Sequence, residues 1–131
     1  MPERTMTLTR EEQDEVDGIP RSDRLRWLAE QRDEDPASLL KRMAEESGIP
    51  LIDEIDMDEQ PTRHLPFRLI NDFQLLPLKV ADDADPGEIP VVTGWLPEYR
   101  MEKWIYAVSN RRPRWFLGDP DAINRMIQQR F

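Results

Sequence analysis

The sequence predicts an α+β fold, with an N-terminal helical hairpin followed by a small sheet covered by helices. Three observations predict it. Residues 22–32 and 35–47 carry apolar side chains at helical spacing, each run between a capping residue and a firm stop. Leu76, Leu78 and Val80 then alternate with the period of a strand. From Leu51 onward the patterns run strand, helix, strand, strand, helix, strand, helix.

The expected division is a flexible acidic arm over 1–21, a helical subdomain over 22–50 and an α+β subdomain over 51–131. In the arm, Glu11, Glu12, Asp14, Glu15 and Asp17 stand among few apolar side chains, which is the composition of a frayed or disordered segment. Ser22 is placed to cap the first helix. Leu25 and Leu28 face inward, Trp27 lies slightly off that stripe, and Arg24, Arg26 and Arg32 face outward.

Asp33-Glu34-Asp35 forms an acidic hinge into the second helix, where Asp35 caps and Pro36 at the first position loses no useful donor. Leu39, Leu40, Met43 and Ala44 make its apolar stripe. Gly48 is the expected left-handed stop, with Ile49 folding back onto the last turn. Pro50 prevents the helix from resuming, and Leu51-Ile52 reads as a short buried strand. Helices this short must pack on something to persist.

Residues 54–60 are an acidic linker. Leu65-Pro66 opens a helix with Leu69, Ile70 and Phe73 on its stripe. Residues 75–80 follow as a strand, in which Pro77 removes a donor and so marks an edge or a bulge. The turn-rich loop over 81–90 leads to a return strand over 90–95. Pro97 starts a helix with Met101, Trp104, Ile105 and Val108 facing inward at i, i+3, i+4 and i+7. A strand over 113–117 follows, and Asp119-Pro120 starts a last helix that buries Ile123, Met126 and Ile127.

A net charge of −9 argues against nucleic-acid or anionic-membrane binding, since both call for a cationic surface. No cysteine is present, which removes disulfides, thiolate zinc sites and cysteine nucleophiles. No apolar run approaches 18 residues, so no membrane insertion is expected and the chain is placed in the cytosol.

No constellation for catalysis stands out. His64 is the single histidine, and no serine or threonine occupies a nucleophile-elbow setting, so a surface or helix-start histidine is expected. The acidic clusters at 53–59 and 82–85 lack the glycine and bidentate glutamate spacing of a calcium loop, and read as solvated loops. Neither a P-loop nor a dinucleotide-binding glycine fingerprint is present. Arg111, Arg112 and Arg114 beside Trp104 and Trp115 form one basic–aromatic patch, which could stack a base. The plainer account is a helix-to-strand turn with both tryptophans in the core. No metal and no cofactor is expected.

LLKRMAEESGIPLID (39–53) and HLPFRLINDFQLLPLKV (64–80) resemble the N-terminal domain of the type II secretion and type IV pilus assembly ATPases. The later stretch continues the likeness, with PVVTGW at 90–95, the helix through Trp104, the strand at Trp115 and a closing IQQRF, so that it covers about 22–131. The resemblance implies a non-catalytic module that docks a hexameric motor onto the inner membrane through the cytoplasmic domain of a bitopic membrane protein. The motor with its P-loop would lie outside these residues. Interfaces are often anchored by aromatic and arginine side chains, which points to Trp27, Arg24 and Arg26 as partner-binding residues.

A subgroup of that family binds cyclic di-GMP through an R-L-G-x-x-L helical motif. Arg24-Leu25 matches its start, but Arg26 stands where the glycine belongs and Arg32-Asp33 lies near the second glycine position. The alternative function is therefore a cyclic-dinucleotide sensor using Arg24, Arg26 and the 111–114 patch.

Overall fold

The computed structural model describes residues 7–130. Its helices are α1 (Arg10–Asp17), α2 (Arg21–Arg32), α3 (Pro36–Ser47), α4 (Phe67–Phe73), α5 (Tyr99–Ser109) and α6 (Pro120–Arg130). Its strands are β1 (Leu75–Pro77), β2 (Glu88–Thr93) and β3 (Arg112–Leu117), which lie in the order β1-β2-β3. β1 runs antiparallel to β2 with Leu75 opposite Thr93, and β2 runs parallel to β3 with Val91 opposite Trp115. A parallel pair needs a crossover, and α5 supplies it. The α+β class read from the sequence is the class observed.

The frayed arm expected over 1–21 is corrected where the structure describes it. Residues 10–17 form α1, held by a capping box: Glu12 N–H donates to Thr9 Oγ1 at 3.1 Å and Thr9 N–H donates to Glu12 Oε1 at 2.9 Å. Val16 is fully buried, while Glu11, Asp14, Glu15 and Asp17 point to water. One apolar anchor and a good cap are enough to dock a short acidic helix, which composition alone does not reveal. Residues 1–6 of the expected arm and the terminal Phe131 lie outside the described residues.

The helical hairpin forms as expected, but α2 starts two residues early, at Arg21 behind Pro20, so Ser22 lies inside the first turn and does not cap it. Two of its arginines are not outward. Arg24 keeps 11% of its side chain exposed and Arg32 21%, because Glu98 and Glu12 draw them in. In α3, Asp35 accepts from Ser38 N–H at 3.3 Å, Leu39, Leu40 and Met43 are buried, and Gly48 ends the helix at φ 75° with Ile49 buried beyond it. Asp33, Gln74 and Asn110 end α2, α4 and α5 in the same left-handed conformation without being glycine.

The strand expected at Leu51-Ile52 is one parallel bridge between Leu51 and Leu117. Asp53 and Glu54 follow at once in water, so pairing cannot continue. The chain then passes to the opposite edge of the sheet, where Met57 faces Leu78. β1 is shorter than 75–80 and does not alternate: Leu75, Leu76 and Pro77 are all buried, and Val80 is exposed. α4 and α6 both pack against this strand, which accounts for the burial. Pro77 lies on an edge, as its missing donor implied, and offers its carbonyl to Asp58 N–H at 3.0 Å.

One core joins these layers, from Val16 and Leu28 through Met43 and Ile70 to Val91 and Ile123. Trp115 belongs to it, with Nε1 donating to Glu102 Oε1 at 2.9 Å.

Candidate functional site

α5 departs from its expected orientation. Met101 and Ile105 are buried, but Trp104 is 54% exposed and Val108 41%. Trp104 sits three residues past Met101, about 60° round the helix, and so falls on the flank of the stripe facing the core. Seven apolar or aromatic residues stand from Tyr99 to Val108, more than one face can bury. That over-wide stripe was the available signal, since Tyr99 and Tyr106 are exposed too.

The flank of α5 meets α4 across an open groove of about 460 Å³. Leu69 and Phe73 form one wall, Trp104 and Val108 the other, with Arg68 and Arg100 at its margins. The Arg100 guanidinium lies 5.5 Å from the Phe73 ring centroid, a cation–π contact that holds both side chains at one end of the groove.

At that same end three arginines share one carboxylate. Glu98 Oε1 lies 3.4 Å from Arg24 Nη1 and 3.7 Å from Arg21 Nη1, and Glu98 Oε2 lies 3.7 Å from Arg100 Nη2. Arg21 is the buried member. Its Nη2 donates to Thr93 Oγ1 and to the Trp95 carbonyl, both at 3.1 Å, and its Nε to the Phe73 carbonyl at 3.3 Å. Burial lowers its pKa to about 10, with Glu98 opposing, so the group is still charged at neutral pH. Its Nη1 has no hydrogen-bond acceptor. Sequence reasoning missed Arg21 by assigning it to the arm, and nothing in the local pattern distinguishes it from its neighbours.

The three α2 residues singled out from the sequence are not brought together. Arg24 donates to the Ile19 carbonyl at 2.8 Å and to Glu98 at 3.4 Å. Arg26 is exposed on another face and pairs with Asp121 at 2.7 Å. Trp27 is half-buried against the core. Arg111 and Arg112 follow the far end of α5 from Glu98, about 16 Å away at the rise of a helix of that length, and Arg114 lies on β3. The second expected core tryptophan is thus an outward residue, while Trp115 is buried.

His64 is half-buried, and its pKa is lowered by desolvation and then by Arg111 and Arg63, with Asp58 opposing. Among the described residues no cluster is arranged to hold a metal ion, and no helix is long and apolar enough to cross a membrane. A second cavity, between α2, α3 and α6, carries Asp35, Asp53, Asp119 and Asp121 against Lys41, a lining that repels phosphates.

No family model matches the chain, and no curated protein matches it by sequence. Solved structures do. The N-terminal domain of XpsE matches with a TM-score of 0.54 at 18% identity, over 69% of this chain. MshE, in a structure with cdg, matches with a TM-score of 0.66 at 10% identity, over 95% of this chain and 91% of that one. The chain has the fold of the XpsE N-terminal domain. It spans 62% of the length of that XpsE chain. In this fold the α4–α5 groove carries two exposed large apolar side chains, Trp104 and Val108, beside its arginine end.

Proposed function

We propose that this chain is a non-catalytic N-terminal docking module of a type II secretion or type IV pilus assembly ATPase. In this reading it binds the cytoplasmic domain of a bitopic inner-membrane platform protein and stays at the membrane through that partner, while the parent ATPase is hexameric. The observation that carries the proposal is the shared fold, since structural neighbours of this kind are N-terminal domains of secretion and pilus ATPases. The sequence resemblance over about 22–131 points the same way. Of the α2 residues offered for that contact, Arg26 is exposed, Trp27 is half-buried and Arg24 is drawn in toward Glu98. The test is calorimetry of this chain against the cytoplasmic domain of such a platform protein. A saturable one-to-one complex is expected, and an absence of heat at tens of micromolar overturns the reading.

A second reading is a cyclic-dinucleotide sensor, favoured by the match to MshE, whose structure was determined with cdg. The geometry supports it less. Arg24 and Arg26 leave α2 on different faces, Arg111 and Arg112 stand beyond the far end of α5, and Arg26 occupies the place of the glycine that would let a ligand approach the backbone. Titration with cyclic di-GMP is expected to give no saturable signal; saturable binding that disappears in Arg24→Ala would restore the sensor.

A further inference from the structure

We propose that the α4–α5 groove is the main anchor point of this module, and that its occupant is an acidic amphipathic segment of a partner protein. The proposal rests on the docking reading and adds where and by what chemistry the partner is held.

Trp104 and Val108, one turn apart on α5, leave apolar surface open to water beside the half-buried Phe73, and covering it on binding is favourable. Trp104, Val108, Phe73 and Leu69 form such a strip along one groove. Side chains at i and i+4 of an incoming helix, or at i and i+2 of a strand, would reach its two ends. Tryptophan and arginine are also among the residue types most enriched at the energetic centres of interfaces.

Charge selects the occupant. The whole chain is strongly acidic, at −9, yet this site is cationic. Arg21, Arg24, Arg68 and Arg100 stand against Glu98 and Asp72, four positive charges to two negative. Glu98 is shared by three guanidinium groups at 3.4–3.7 Å, longer than a good charge-assisted bond, so none of them is fully satisfied by it. A second carboxylate brought to the Arg100 end would complete the cluster. Repulsion from the distant acidic loops is screened beyond about 8 Å at physiological salt, whereas contacts with partly buried guanidinium groups are screened much less. The local attraction therefore decides.

Two probes and two variants test this. The first probe is a 16-residue helical peptide with leucines at i and i+4 flanked by glutamates, compared with the same peptide carrying lysines instead. By amide chemical-shift mapping on the full chain, the glutamate peptide is expected to move residues 66–73 and 98–108, and the lysine peptide to leave them in place. Equal responses to both, or none from the glutamate peptide, overturn the proposal. The second probe is the cytoplasmic platform domain. Trp104→Ala and Arg100→Glu, both at exposed positions that should not disturb folding, are each expected to weaken its binding at least tenfold, with Trp27→Ala changing it less than threefold. Platform binding that survives Trp104→Ala unchanged overturns the groove and leaves the docking reading standing. A platform domain that ignores the wild-type chain, while the glutamate peptide still maps to the groove, overturns the docking reading and leaves the groove.

Discussion

Glu12 and Arg32 close a two-pronged pair, with Arg32 Nη2 donating to Glu12 Oε1 at 2.8 Å and Arg32 Nε donating to Oε2 at 2.9 Å. This bond and the Thr9 N–H hold the Glu12 carboxyl down from its ordinary 4.5 to about 2. A carboxyl depressed by folding stabilises the native state above its unfolded pKa, and that contribution is lost as pH falls through the folded value. The window is therefore pH 4.5 down to about 2. The pair is partly open to solvent, so its weight is modest. Thermal unfolding followed across that window should show wild type losing more stability than Glu12→Gln, and parallel curves would refute the linkage. Asp33 makes a second case at this scale. It ends α2 at φ 53°, where a side chain crowds its own carbonyl, so Asp33→Gly is expected to stabilise by about 0.5–1 kcal/mol in chemical denaturation.

Helices in this protein were legible wherever a cap, a stripe and a stop coincided. Asp35, Pro36 and Gly48 fixed α3 to the residue, and Asp119-Pro120 did the same for the start of α6. What stayed hidden depended on neighbours far along the chain. α1 looks disordered by composition because its anchor is the lone Val16 and its cation, Arg32, lies on another helix. β1 loses its alternation because α4 and α6 both pack against it, and the outward turn of Trp104 is set by where α5 crosses the sheet. Little of the groove was legible: the sequence read Trp104 as a core residue on the plainer account and offered Arg24 as a partner contact, but did not show that Arg24, Arg21 and Arg100 meet on Glu98. Junctions between elements give the sharpest test here. A Cβ placed on Gly94, just past β2, would come within 2.4 Å of Pro120 Cβ at the start of α6. Pro120 is itself buried and cannot move aside, so Gly94→Ala should cost about 1–3 kcal/mol, read from the urea midpoint. A midpoint equal to wild type would mean that the β2–α6 junction is looser than described.

Across the whole molecule, the hairpin and the sheet share one core. α2 packs on α6, and Arg21 of α2 bonds the end of α4 through Phe73 and the β2 end through Thr93 and Trp95. Those bonds leave from a buried cation, so deleting the guanidinium in the folded protein would leave the Thr93 hydroxyl and the Phe73 and Trp95 carbonyls without their donor. α2 and α3 are 12 residues each, a length at which single helices do not persist alone. The hairpin is therefore expected to depend on the sheet for much of its stability. Urea unfolding should be a single transition, with helix content from circular dichroism and tryptophan fluorescence changing together, although Trp27 reports on the hairpin and Trp95 and Trp115 on the sheet. Arg21→Ala should lower that common midpoint by an amount equivalent to about 2–4 kcal/mol while keeping the curves superimposed. Two separated transitions, with the helical signal lost first, would show instead that residues 22–50 are a subdomain of their own and that Arg21 does not couple it to the groove.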